Sequence, residues 1–208
     1  LLTKFDDCSF DTILTDPPYG MNFQSNYAKG GPRHSKIEGD NILDLSWIKE
    51  SYRLLKKGGA ILIFCEWKNA EKFKVELETS GFTVKSQVIW KRLHHGMGDL
   101  LGSFAPMHDI IWYATKGRRT FVNGRHKSII EAKRPSPSED FGHPTCKPVD
   151  LLEKLLRSTD DGSSGNVLDP FMGSGSTVVA CKNLGRDFTG IEIKEEYYRV
   201  CNERLNYG

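Results

Sequence analysis

Apolar residues recur along the chain in two kinds of run that alternate. Short, nearly continuous runs occur at Thr12-Ile13-Leu14-Thr15, at 60–65, at Asn166-Val167-Leu168 and at 188–193, the pattern of strands buried on both faces. Between them lie segments of helical periodicity: 46–56, ended by Gly58-Gly59; 69–80, closed by Gly81; 148–157, opened by Pro148; 177–184; and 195–205. Two further strands, 83–90 and 109–114, follow each other without a helix, which predicts an antiparallel pair across the 91–106 loop. Strand and helix in alternation predict parallel β-α-β units, hence an α/β doubly wound, twisted, mostly parallel sheet with helices on both faces and the antiparallel pair at one edge. No composition shift marks a linker. Pro135-Ser136-Pro137-Ser138 reads as a connection inside one domain spanning 1–208.

In such folds ligands bind outside the carboxyl ends of the strands, so the loops after strands carry the chemistry. The first is Asp16-Pro17-Pro18-Tyr19. Two successive prolines fix φ and supply no N–H donor, so this turn is rigid and rich in acceptors. It suits a planar substrate with an exocyclic amino group: Tyr19 would stack on the ring while Asp16 and the Pro17 carbonyl accept the amino protons. A base in a duplex reaches such a site only if rotated out of the stack.

The second is Asp169-Pro170-Phe171-Met172-Gly173-Ser174-Gly175-Ser176, followed by a helix that starts near Thr177. A strand, a glycine turn and a helix N-terminus are the parts of a Rossmann-type nucleotide site, and Glu192, at the end of the next strand, stands where such folds hold ribose hydroxyls. Gly173 and Gly175 would let the backbone approach the ligand. The dinucleotide spacing lacks its third glycine, and no Gly-Lys-Ser/Thr phosphate loop occurs, which disfavours NAD and ATP. A nucleoside cofactor without polyphosphate fits better, and S-adenosyl-L-methionine is the leading candidate.

With Asp-Pro-Pro-Tyr ahead of the glycine loop, with Arg53-Leu54-Leu55-Lys56-Lys57-Gly58-Gly59 and His143-Pro144-Thr145-Cys146-Lys147-Pro148 between them, and with Gly190-Ile191-Glu192-Ile193 followed by Glu196-Tyr197 after them, the chain resembles the β-class DNA amino-methyltransferases along nearly its whole length. The resemblance implies a Rossmann-like methyltransferase fold and a site-specific transfer from S-adenosyl-L-methionine to a flipped base in double-stranded DNA. Asp16, Pro17, Pro18 and Tyr19 would be catalytic. Asp169, Phe171, Gly173, Ser174, Gly175, Thr177 and Glu192 would hold the cofactor, with Asp16 at the junction. Thr145 and Lys147 would meet its carboxylate, which Lys147 could bind by a charge-assisted hydrogen bond. Asp in the first motif position favours adenine N6, with cytosine N4 the alternative. Protein-glutamine and ribosomal-RNA methyltransferases place the glycine loop first, so motif order argues against them. A non-catalytic DNA-binding partner subunit is the remaining alternative. The family implies a bacterial or phage-infected cytoplasm and frequent homodimers. Its upstream Gly-Asp pair has no counterpart here, where the chain opens at Leu1, so residues of the cofactor's adenine pocket are expected upstream.

Composition refines this picture. At 208 residues and 38% hydrophobic, the chain can bury one sizeable core. No apolar run approaches the roughly 18 residues of a membrane span, so no membrane association is expected. Five cysteines without a Cys-x-x-Cys pair read as reduced thiols, and His94-His95 lack partners at ligand spacing, so no metal site is expected. Net charge is only +2, but Lys116, Arg118, Arg119, Arg125, Lys127, Lys133 and Arg134 cluster with Glu131 as the sole acid. Such a cluster suits phosphate neutralisation. It falls in the interval, about 117–141, that holds the target-recognition segment in the family. Arg118, Arg119, Arg125 and Lys127, with Lys91 and Arg92 at the end of a strand, are the candidate DNA contacts. The loops 22–39 and 91–106 flank the expected pocket and would share in recognition. The tryptophans read as packing residues, with Trp90 edging the pocket.

Overall fold

The computed structural model describes residues 1–20, 42–96, 101–122, 124–135, 146–160 and 165–206. Among the described residues the strands are β1 (Phe10–Thr15), β2 (Leu55–Cys65), β3 (Thr83–Arg92), β4 (His108–Thr115), β5 (Ile129–Ala132), β6 (Val167–Asp169) and β7 (Phe188–Gly190). The α-helices among the same residues are α1 (Trp47–Leu54), α2 (Ala70–Thr79), α3 (Val149–Ser158), α4 (Ser176–Asn183) and α5 (Glu195–Asn206). The strands form one sheet in the order β5-β3-β4-β2-β1-β6-β7. Every pairing is parallel except the two made by β4.

Alternation along β2 divides the core. Ile61, Ile63 and Cys65 pack on one face with Trp47, Ile48 and Leu54 of α1 and Phe73 and Leu77 of α2. Ala60, Leu62 and Phe64 pack on the other with Leu151, Leu152, Leu155 and Leu156 of α3 and Ala180 and Cys181 of α4. Residues two apart on a strand share a face, so a strand covered by helices on both sides is apolar at nearly every position.

Three elements differ from the sequence expectation. The first helix stops at Leu54, and Leu55–Gly59 extend β2 instead. The register jumps from Phe10↔Leu55 to Thr12↔Ala60, so the additional residues form a bulge. Gly58 adopts φ 84° there, its N–H bonding the Lys116 carbonyl at 2.7 Å, and Lys56 is drawn to Asp11 at 2.8 Å. The strand expected over 188–193 ends at Gly190, because Ile191 turns inward to exchange backbone hydrogen bonds with Asp169 and Met172. Finally, β5 lies within the interval read as recognition segment. It pairs parallel with β3, outside the antiparallel β3–β4 pair.

Candidate active site

The sheet reverses its winding between β1 and β6: β1 leads to β2 on one side, and β6 to β7 on the other. The crevice outside the carboxyl ends of these two strands is the expected ligand position. Both loops singled out above begin there, because Ile13 pairs with Leu168. A buried hydrogen bond ties them together: the Thr15 hydroxyl donates to Asp169 Oδ1 at 2.7 Å. Asp169 also accepts from the Phe171 amide at 3.1 Å and from the Thr177 side chain. Burial nevertheless raises its pKa to about 6, since these bonds offset only part of the desolvation and the Asp16 charge opposes a second ionised group.

At the end of β1, the Tyr19 hydroxyl donates to Asp16 Oδ1, and the Lys147 ammonium pairs with Asp16 Oδ2. Burial first, and then the neighbouring Asp16, push the Tyr19 phenol well above its ordinary pKa, so it remains a donor. Lys147 lies 5.0 Å from the centroid of the Phe64 ring and is largely buried. The ammonium expected to meet a cofactor carboxylate is paired here with Asp16, an interaction the sequence did not indicate. Two of the roughly four acceptor positions of a carboxylate are occupied in this way, leaving others for an incoming amine. Thr145 lies outside the described residues.

The glycine loop is fixed from two directions. Glu192 accepts from the Gly173 amide at 2.9 Å and the Lys194 amide at 2.8 Å. Arg204 of α5 donates to the Ser174 carbonyl at 2.7 Å. Gly175 takes φ 83°, and a Cβ there would stand 2.3 Å from Cys201 Sγ. Its glycine therefore serves helix packing, where close approach to a ligand had been expected. Ser174 is almost wholly buried and Thr177 nearly so, although both border the cavity.

One cavity of about 680 Å³ joins Asp16 to Tyr19, Asp169, Phe171, Gly173, Ser174, Thr177 and Glu192. Pocket residues that the sequence did not indicate include Trp47, Phe64, Asp109, Cys146, Ile191 and Tyr197. Trp47 packs edge-on against Phe171 at 5.2 Å, so the Glu192 end carries an aromatic and aliphatic wall. Trp90, whose indole N–H bonds the Ala132 carbonyl at 2.9 Å, closes the Asp16 end. Phe64 and Asp109 gave no sequence signal, because only strand pairing brings them to the rim. A carboxylate with spare acceptor positions beside an aromatic wall suits a nucleoside, and the second carboxylate suits a planar amine.

The basic candidates separate. Since β4 runs against its neighbours, its end at Thr115 lies by Ala60, at the rim opposite Asp16. Arg118, though exposed, lies at that far rim, close to Gly58. Arg119 donates to the Gly58 carbonyl at 2.7 Å and to the Thr159 carbonyl, while Lys116 donates to the Tyr52 and Leu55 carbonyls. These are internal struts, and Arg119 is withdrawn as a DNA contact. Arg92 is withdrawn too: it is 5% exposed and donates to the His108 carbonyl. Arg125 and Lys127 are exposed on the segment that climbs towards β5. Lys91 is half exposed and paired with Glu131, and the exposed Lys133 and Arg134 follow β5 onto the pocket rim. The 22–39 loop lies outside the described residues.

A family model described as DNA methylase matches residues 10–203. The Type II methyltransferase M.HpaI of Haemophilus parainfluenzae is 32% identical over 231 residues, covering 99% of this chain and 71% of that protein. Among solved structures, the M1.HpyAVI–SAM complex superposes with a TM-score of 0.74 at 30% identity, over 95% of this chain and 90% of that one. The cytosine-N4-specific PvuII DNA methyltransferase shares the fold, with a TM-score of 0.76 at 16% identity over 99% and 82% of the two chains.

Proposed function

Because this chain belongs to the N6/N4 DNA methylase family, as an S-adenosyl-L-methionine-dependent DNA methyltransferase, we propose that it methylates adenine N6 at specific sites in double-stranded DNA, on a base turned out of the helix. The observation that carries this reading is the Asp16 carboxylate, held by Tyr19 and Lys147 in the same cavity as Glu192 and the glycine loop. The choice of adenine rests on Asp as the first residue of the motif, by resemblance to the adenine enzymes. A bacterial or phage-infected cytoplasm and a homodimer belong to the same reading.

The cavity fits the cofactor on its donor set. Glu192, oriented by two backbone amides, keeps acceptor positions for ribose hydroxyls, and Phe171, Trp47 and Ile191 offer a surface for a purine. When bound, S-adenosyl-L-methionine supplies an electrophilic methyl group on a sulfonium centre. The residues of the chain prepare the nucleophile. An aromatic amine is conjugated to its ring and is a poor nucleophile. Acceptance of its protons by Asp16 and the Pro17 carbonyl draws the nitrogen towards sp³ geometry and directs its lone pair along the cavity. Asp16 is also placed to take the proton that the alkylated nitrogen sheds. Positioning of this kind can supply several kcal/mol of a barrier.

The test is incubation of the protein with isotopically labelled S-adenosyl-L-methionine and unmethylated DNA, followed by digestion to nucleosides and mass analysis. N6-methyladenine is expected. N4-methylcytosine would preserve the chemistry and overturn the base assignment. Absence of labelled nucleoside would overturn the reading.

A further inference from the structure

The β3–β4 hairpin extends outward from the pocket. Trp90 and Asp109 face each other across it, and both line the cavity. One pair further out stand Lys91 and His108, and beyond them the Arg92 amide bonds the Met107 carbonyl at 2.8 Å and the Gly96 amide bonds the Pro106 carbonyl at 2.7 Å. The loop supported on this ladder carries Phe104, 100% exposed, and Leu101, equally open to solvent. Leu93 and Met107, nearer its base, are also exposed. Lone apolar residues at a surface are ordinary, but here a phenylalanine and a leucine three positions apart are both fully exposed, with Leu93 and Met107 exposed nearby in sequence. The hairpin that carries these residues springs from the Trp90–Asp109 pair at the rim of the cavity in which the base is proposed to lie.

We propose that Phe104, with Leu101 three positions before it, forms an apolar wedge that enters the DNA stack in the space left by the extruded base. This rests on the function proposed above. Removing a base from the stack exposes the apolar faces of its neighbours, and inserted Phe or Leu side chains are a physical means of covering them. Charge favours the same occupant, since Lys91, Lys133 and Arg134 lie at the base of the hairpin or on the adjoining strand end, where they can meet phosphates on either side of the gap. Phe104 is a positioning residue: it acts on the duplex, while the chemistry remains at Asp16.

The experiment compares the wild-type protein with Phe104→Ala and Leu101→Ala/Phe104→Ala on two substrates. One is a duplex that the wild type methylates; the other is the same sequence with the target base mismatched, so that it is already partly unstacked. Phe104→Ala should slow single-turnover transfer to the matched duplex by at least about tenfold and leave transfer to the mismatched duplex within about threefold of wild type. Phe104→Leu should restore most of the matched rate. A fluorescent adenine analogue at the target position should brighten on binding to wild type and less on binding to the variant. Unchanged transfer to the matched duplex by the double variant would overturn the wedge, as would equal loss on both substrates at unchanged melting temperature. If no duplex is found that the wild type methylates, the DNA reading beneath the proposal is overturned instead.

Discussion

Replacing Thr15 by Val removes the hydroxyl that bonds Asp169 Oδ1 at 2.7 Å, in a position 1% exposed, and keeps nearly the same shape. The effect depends on the charge of Asp169. Burial raises that carboxyl from 3.8 to about 6 in the folded protein. The native state therefore binds the proton more tightly than the unfolded chain between those values. The resulting stabilisation, on the order of 3 kcal/mol, is complete below the unfolded pKa and lost as pH rises through about 6. Above that pH Asp169 is an ionised, buried acceptor, and the Thr15 bond is charge-assisted. Deleting a bond to a charged group costs roughly 1.5–3 kcal/mol, against roughly 0.5–1.5 kcal/mol for a neutral pair. Thr15→Val should thus lower stability by about 2 kcal/mol at pH 8 and about 1 kcal/mol at pH 5. Urea denaturation of both proteins at the two pH values measures the difference, because contributions from other carboxyls cancel between variant and wild type. Equal destabilisation at both pH values, or a greater loss at pH 5, would refute the reasoning.

Other consequences can be checked in the same way. Arg119→Met should reduce unfolding free energy by roughly 1–3 kcal/mol, through loss of its bonds to the Gly58 and Thr159 carbonyls. It should leave the salt dependence of DNA binding unchanged, whereas Lys133→Ala should lower that slope by about one. Glu192→Gln should weaken cofactor binding about tenfold or more in calorimetry, since a neutral amide replaces the carboxylate that bonds Gly173 and Lys194. Gly175→Ala places a methyl group against Cys201 Sγ on a left-handed backbone, and should cost about 1–3 kcal/mol in urea denaturation.

Local signals in the sequence carry through to the structure. The apolar run 60–65 could only be a strand covered on both faces, and Ala60–Cys65 form the central part of β2. Asp16 and Asp169 each ended a strand in sequence, and the switch in winding brings both into one cavity. The failures share a long-range cause. Whether Leu55–Gly59 ended a helix or began a strand was decided by pairing with Phe10 and with Lys116. Lys147 reaches Asp16 across 131 positions, so its partner could not be read from its neighbours. Charge density along the chain groups Arg118 and Arg119 with the candidate DNA contacts, but reversal at β4 carries them to the rim away from the pocket. Ile129–Ala132 are too short for periodicity to register, and they became an edge strand only by pairing with β3.

The central claim is that Asp16 holds the accepting amine while the glycine loop and Glu192 hold the cofactor. Asp16→Ala tests it most directly, with labelled methyl transfer and calorimetric cofactor binding measured on the same preparation. The account predicts that transfer falls at least about a hundredfold while the cofactor dissociation constant changes by less than about threefold. Transfer that persists in the variant, or transfer and cofactor binding lost together, would contradict it.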